Sequence, residues 1–299
     1  MGALNRVLSQ MLPYVPRAIV GRVSARYIAG EKLQEALDTV ASLNATGTSA
    51  TVDILGEFVR ALPEASAARE EYVGLVQALA DRALDSQVSV KLTQLGLKID
   101  RGVCLEHMRA IAAQAQRLGN LVAIDMEDSS CTDATLEIYE ALRHDNRHVG
   151  AVLQACLRRS RADLERLLPL EPNVRVCKGI YVEPVEIAYQ KPERIRQSFL
   201  DLVEMLLTRT SFVGIATHDE ILVDASSELL RKHRTAPERY EFQMLLGVRH
   251  ELRSRLLAQG HPVRVYVPYG RHWYAYSMRR LKENPAIAGH VFRNLFERV

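Results

Sequence analysis

VRVCKGIYV, residues 174–182, is an apolar, β-rich run that ends on a lysine and a glycine. Arg175 and Lys178 bracket its end, and Gly179 follows, where backbone can approach a ligand closely. Seven further runs have the same character: SATVDILGE (49–57), VSVKLTQLG (88–96), LVAIDMED (121–128), GAVLQAC (150–156), FVGIATHDE (212–220), YEFQMLLG (240–247) and VRVYVPYG (263–270). Each reads as a continuous apolar run, the pattern of a strand buried on both faces. Amphipathic helix patterns fill most of the gaps. Leu105, Met108, Ile111, Ala115 and Leu118 share one face, and Ile195, Phe199, Leu202 and Leu206 share another. Alternation of strand and helix implies a parallel sheet, and eight such units imply a closed (β/α)8 barrel.

Two more helices come early. GEKLQEALDTVASLNATG aligns Leu33, Leu37, Val40 and Leu43, with Gly47 suited to the helix end. PEASAAREEYVGLVQALADRALDS aligns Tyr72, Leu75, Val76, Leu79 and Ala83. With no internal repeat or low-complexity linker, residues 1–299 are expected to form a single barrel domain with residues 1–46 as an N-terminal helical segment. The basic, apolar N-terminus is broken by Pro13 and Pro16, so it reads as a short packed helix rather than a signal peptide, with a weak membrane-surface contact as the alternative.

Composition narrows the function classes. The chain is 47% hydrophobic and 25% charged, ordinary for a globular protein, and its net charge of +3 is too small to argue for nucleic acid. Cys104, Cys131, Cys156 and Cys177 form no CxxC pair, which argues against a zinc site or redox dithiol. Cys156 and Cys177 lie in apolar runs and are expected to be small buried hydrophobes in a reducing compartment. No apolar run is long enough to span a membrane.

In barrels the functional residues gather at the C-terminal ends of the strands. Here those ends carry Asp53 and Glu57, Lys91, Asp125 and Glu127, Gln154, Lys178 and Tyr181, Thr217 to Asp219, Gln243 and Tyr266. Lys91 inside SVKL and Gln154 inside AVLQAC need partners if buried. Paired carboxylates also suit glycoside hydrolysis, but 6% aromatic residues and a lone Trp273 disfavour sugar stacking. No metal triad is evident, and no G-x-G-x-x-G or P-loop is present. Beyond the last strand, Tyr276, Arg279, Arg280 and Glu283 fall at i, i+3, i+4 and i+7, one helix face. An isolated arginine pair reads as a solvated face. A tyrosine on that face, the spacing of the two guanidiniums and the position after the last strand favour a fork for one small carboxylate.

At this point the motifs resemble those of the proline dehydrogenase family. YSMRRLKEN is similar to its Y-x-x-R-R-x-x-E motif, and TVDILGE, SVKL, IDMED, VLQA, VRVCKGIY, ATHD, EFQMLLG and RVYVPYG resemble its strand-end motifs in order, from about residue 30 to 299. The resemblance implies a distorted (β/α)8 TIM barrel with extra N-terminal helices and the last helix over the mouth. It implies FAD-dependent oxidation of L-proline to Δ1-pyrroline-5-carboxylate, the first step of proline breakdown to glutamate, with hydride passing from proline C5 to flavin N5 and electrons onward to a quinone. Carried over position by position, Arg279, Arg280 and Lys91 would clamp the carboxylate, and Tyr276, Tyr266, Tyr181 and Leu245 would wall the ring. Glu283 would anchor the arginine helix, Glu57 would pair with Arg279, and Asp125 would orient Lys91. Arg175 would sit near N5; Asp125 and Arg175 are the expected catalytic residues. Met126 and Gln154 would line the isoalloxazine, and Lys178, Gly179, Ile180, Thr217 and His218 would meet the rest of the FAD.

Two positions depart from the family pattern. Asp219 stands where Asn is frequent, an unfavourable charge beside a phosphate, and Ile180 stands where a smaller Ala is frequent. The resemblance further implies a cytoplasmic protein with peripheral contact at the inner face of the membrane, and no metal. At 299 residues the chain has no room for a fused aldehyde dehydrogenase, so a separate pyrroline-5-carboxylate dehydrogenase would take the product. The alternatives are the same chemistry on hydroxyproline or another cyclic imino acid, and a non-catalytic barrel that binds an amino acid.

Overall fold

The computed structural model describes residues 20–21, 24–56, 58–274 and 276–278. Eight strands close into a parallel barrel in sequence order: β1 (Ser49–Ile54), β2 (Ser86–Val90), β3 (Val122–Ile124), β4 (Val149–Gln154), β5 (Asn173–Cys177), β6 (Phe212–Ala216), β7 (Tyr240–Leu245) and β8 (Val263–Tyr269). Closure is made by β1 against β8, with Ala50 opposite Val265 and Val52 opposite Val267. Helix α1 (Leu33–Asn44) precedes β1, and α2 (Leu62–Asp81), α3 (Arg101–Arg117), α4 (Thr132–Arg143), α5 (Ser160–Leu167), α6 (Pro192–Leu207), α7 (Glu220–Lys232) and α8 (His250–Ala258) fill the successive strand gaps. This is the expected (β/α)8 barrel with an additional N-terminal helix. Arg279, Arg280 and Glu283, expected on a last helix over the mouth, lie outside the described residues, as does Glu57.

The strands are less uniform than continuous apolar runs. With side chains alternating across a strand, Val52, Val88, Val90, Val122, Ile124, Val174, Val176, Val213, Ile215, Val263, Val265 and Val267 join one buried cluster with helix residues. Many of the intervening positions are polar and bond to one another inside the barrel. Gln87 donates to Thr51, Lys91 to Asp53 and Arg175 to Gln243. The barrel is therefore oily toward its helices and hydrogen-bonded within.

The helices bury the faces their spacing predicts. Leu37, Val40 and Leu43 of α1 are buried, as are Tyr72, Leu75, Val76 and Leu79 of α2, whose Tyr72 hydroxyl is hydrogen-bonded to the Gln94 side-chain amide. Ala83 does not continue that face. The helix stops at Asp81, and Ala83 is exposed with φ +48°. Asp100 caps α3 by accepting from Val103 N, and Pro192 opens α6 with its φ already set for a helix. Met108, Ile111 and Ala115 of α3 and Phe199, Leu202 and Leu206 of α6 are buried.

Strand ends turn away earlier than the apolar runs suggest. β3 is only three residues long, because the Gln154 amide bonds the carbonyls of Met126 and Glu127 and holds 126–127 off the ladder. Beyond β2, Leu92–Leu95 form a 3-10 turn ended by Gly96 at φ +99°. Residues 24–30 lie against the mouth: Ala29 N donates to Pro268 O and Gly270 N to Gly30 O. Ile28, Leu55 and Tyr276 form a small buried cluster there, with Tyr27 and Trp273 packed on it.

Candidate active site

The inward side chains at the C-terminal ends of the strands surround a cavity of about 500 Å³. Strand register brings them together. Asp53 lies opposite Ser89, and Ala123 lies opposite Ser89 on the other side. Lys91 is two residues beyond Ser89 and Asp125 two beyond Ala123, so by the strand period all three charged groups point inward at neighbouring heights.

Lys91 sits between two carboxylates, 2.7 Å from Asp53 Oδ1 and 3.5 Å from Asp125 Oδ2. Its burial disfavours the charge, but Asp53 and Asp125 outweigh burial and hold the ammonium above the ordinary lysine value. Asp125 is the hub of the site. Its Oδ1 accepts from Ser89 Oγ at 2.6 Å and Arg175 Nη1 at 2.6 Å, and its Oδ2 accepts from the Tyr266 hydroxyl at 2.7 Å. Burial raises its pKa, yet Arg175 and Lys91 overcome burial and leave it below the ordinary value. Asp53 is pushed the other way, raised first by burial and then by Asp125 against the pull of Lys91. Burial, with Asp125 and Asp53 beside it, likewise raises the Tyr266 phenol. The Arg175 guanidinium lies 5.3 Å from the Tyr266 ring centroid, within cation–π range.

The remaining wall comes from the next strands. Met126, Gln154, Tyr181, Leu245 and Tyr276 line the same cavity, as do Lys178, Gly179, Ile180, Thr217 and His218. Every expected site residue among the described ones is therefore on one cavity wall. Gly179 has φ +95°, and a Cβ there would meet Cys156 Sγ at 2.2 Å. The glycine thus lets the chain turn tightly along the rim. His218 Nε2 accepts from Leu245 N at 2.9 Å, so this imidazole ties β6 to β7. The charge of Asp219 is compensated within the protein: Arg196 Nε is 2.8 Å away and Lys178 Nζ 3.3 Å. Burial raises Asp219, but these two cations bring its pKa below the ordinary carboxylate value. Ile180 is 40% exposed at the rim, so its extra bulk stands at the lip rather than in the floor.

Cys156 is buried as expected, but Cys177 is only half-buried and faces the cavity, its thiol pushed up to about 12 by burial. Two more residues enlarge the expected set. Asp53, fully buried, is the nearest partner of Lys91, and Gln243 holds Arg175. Both were visible as polar residues at strand ends, but their partners on other strands depend on register.

Three residues of this cavity wall each have a buried polar atom with no hydrogen-bond partner among the described residues: Asp53 Oδ2, Gln154 Oε1 and Arg175 Nη2. Buried polar atoms are nearly always partnered, so the polar groups of this wall are not fully satisfied by the described residues. A donor in Arg175, an acceptor in Gln154, the apolar Met126 and Leu245, and the glycine turn at 179 fit a flat heteroaromatic group such as a flavin.

A closed parallel barrel whose strand ends converge on one charged, partly apolar cavity has the form of a barrel enzyme acting on a small polar substrate. A family model described as proline dehydrogenase matches residues 36–293. Proline dehydrogenase 1 of Bacillus subtilis subsp. natto is 37% identical over 273 residues, spanning 91% of this chain and 90% of that protein. Proline dehydrogenase of Deinococcus radiodurans is 35% identical over 280 residues, spanning 92% of this chain and 90% of the relative. The structure of proline utilization A from Bdellovibrio bacteriovorus, inactivated by N-propargylglycine, superposes with a TM-score of 0.82 at 26% identity; it covers 88% of this chain and 32% of that one, so this chain spans about a third of its length. The chain belongs to the proline dehydrogenase family.

Proposed function

We propose that this chain oxidises L-proline to Δ1-pyrroline-5-carboxylate with FAD and passes the electrons on to a quinone. Membership of the family over residues 36–293 supports the reaction class. The observation that carries the reading is the gathering of Asp53, Gln154 and Arg175, each with a buried polar atom unpartnered among the described residues, on the wall of a cavity that Lys91 also lines. When bound, FAD accepts the hydride that leaves the substrate.

The protein's own part is binding, orientation and charge. Lys91, kept charged by Asp53 and Asp125, is not a base and acts as a fixed cation for the substrate carboxylate. Arg279 and Arg280, outside the described residues, complete a three-cation clamp, with Glu283 and Glu57 holding the arginines. Tyr266, Tyr181, Tyr276 and Leu245 pack the ring. Asp125 orients Lys91, Arg175 and Tyr266 together through the bonds described above. The substrate nitrogen must lose its ammonium proton before hydride departs, because its lone pair stabilises the developing iminium; neighbouring cations favour that loss. Arg175, Met126 and Gln154 face the flavin ring, and Lys178, Gly179, Ile180, Thr217 and His218 meet the remainder of the FAD. Because Asp219 is already paired with Arg196 and Lys178, its charge is no obstacle to a nearby phosphate.

In this scheme the protein is cytoplasmic, with a peripheral membrane contact where the quinone is reduced, and a separate pyrroline-5-carboxylate dehydrogenase takes the product. Among the described residues no helix is long and apolar enough to cross a membrane. The test is to purify the chain and measure its colour and activity. A yellow, FAD-containing protein that reduces a soluble quinone with L-proline, and much less with trans-4-hydroxyproline, is expected. A colourless protein that neither takes up FAD nor oxidises proline overturns the reading.

A further inference from the structure

We propose that Gln243 is a positioning residue for Arg175, locked in one amide orientation by Glu241 and Arg264. It thereby fixes the plane of the guanidinium at the cavity wall. The inference rests on the flavoenzyme reading above, in which Arg175 meets the flavin.

Arg175 is gripped at two separate nitrogens. Its Nη1 donates to Asp125 Oδ1 at 2.6 Å and more weakly to Ser89 Oγ at 3.3 Å, and its Nε donates to Gln243 Oε1 at 2.6 Å. One contact alone leaves the guanidinium free to swing about it. Two contacts on different nitrogens set the plane of this cavity-lining group, and the third nitrogen, Nη2, is buried with no partner among the described residues.

The grip works only if Gln243 presents oxygen and not nitrogen to Arg175. Its other end settles that. Gln243 Nε2 lies 2.7 Å from Glu241 Oε1, and a carboxylate only accepts, so the NH2 end must face Glu241. Glu241 is in turn held by Arg264, whose Nε is 2.7 Å from the same oxygen and whose Nη1 donates to Ala50 O at 2.6 Å. Glu241 and Gln243 are nearly fully buried. A chain of oriented groups thus runs inside the barrel from Arg264 on β8, through Glu241 and Gln243 on β7, to Arg175 on β5.

A second feature points the same way. Gly214 of β6 lies beside Gln243, and a Cβ there would come within 2.4 Å of its Nε2 and 2.8 Å of its Cδ. The strand has no side chain where the amide crosses it. None of these four residues is needed to bind the substrate carboxylate, which separates this chain of bonds from the Lys91 clamp.

The experiment uses the FAD-loaded protein and the variants Gln243→Met and Glu241→Gln. Flavin midpoint potential, FAD content, kcat and proline KM are measured together. Gln243→Met keeps the volume, leaves the Glu241–Arg264 pair intact and frees one edge of Arg175. The expected result is full FAD content and an unchanged KM. The reduced-to-oxidised flavin ratio at fixed potential falls by about tenfold, a shift of about 30 mV to the negative for a two-electron couple, and kcat falls with it. Glu241→Gln lets the Gln243 amide turn over, so a smaller shift of the same sign is expected. A lowered Tm with unchanged potential and kcat in both variants would reduce the chain of bonds to a structural role and overturn the proposal. If the unaltered protein binds no FAD, the flavoenzyme reading itself fails, and this proposal falls with it. Should Gln243→Met not fold, Glu241→Gln decides the matter alone.

Discussion

Asp125 carries four interactions, with Ser89, Arg175, Tyr266 and Lys91. Its replacement is therefore the most consequential single change in the site. Asp125→Asn leaves two buried cations short of a counter-charge, and breaking a buried pair from one side costs about 3–5 kcal/mol. The pH dependence has a definite sign. Because the folded protein lowers Asp125 below its ordinary value of 3.8, its stabilisation is complete above that value and is lost as pH falls through the folded pKa. Urea titrations at pH 7 and at pH 3 are expected to show a large gap between the two proteins that narrows in acid; a gap independent of pH would contradict this account. For the proposed substrate clamp, Lys91→Met, Arg279→Met and Arg280→Met are each expected to raise the proline KM by about tenfold or more while FAD stays bound, since each would remove a charge-assisted bond worth about 1.5–3 kcal/mol. Steady-state kinetics beside flavin absorbance check this. Many residues of the cavity wall are legible at this scale as polar letters at strand ends. Asp53 shows the limit: the letter was visible in TVDIL, but its role as the nearest partner of Lys91 depends on the pairing of Asp53 with Ser89, which spacing along one strand cannot supply.

At the scale of elements, eight strands and their helices followed from apolar runs and helix periodicity, with boundaries in error where local bonds end a strand early. β3 is the plainest case: LVAIDMED is apolar enough for a longer strand, but the Gln154 amide, from a strand nearly thirty residues on, takes the carbonyls of 126 and 127. Reading the strands as uniformly apolar also hid their inward polar positions, because β-branched residues facing the helices dominate the composition. The turn after β5 offers a direct test. Gly179 combines φ +95° with no room for a Cβ, and a strained left-handed residue costs about 1–3 kcal/mol. Gly179→Ala is expected to lower both Tm and the FAD content after purification. Normal FAD content would show that the turn does not shape the cofactor wall.

For the whole molecule, the barrel puts its oily side toward the helices and its hydrogen-bonded side inward, so the interior is ordered by register rather than by packing of aliphatic layers. A ligand that binds this cavity in the folded protein and not in the unfolded chain adds to stability. A ligand present at a hundred times its Kd adds about 2.7 kcal/mol, and for a chain of this size that corresponds to a rise in Tm of roughly 4 °C. FAD added to cofactor-stripped protein is expected to raise Tm in a concentration-dependent way, as differential scanning fluorimetry can follow. The central claim, that this cavity brings proline to a bound flavin, is tested most directly by mixing the purified protein with L-proline without oxygen or any added acceptor and following the flavin spectrum. Bleaching of the oxidised band with formation of Δ1-pyrroline-5-carboxylate in equal amount is the predicted result; a flavin band unchanged by saturating proline would contradict it.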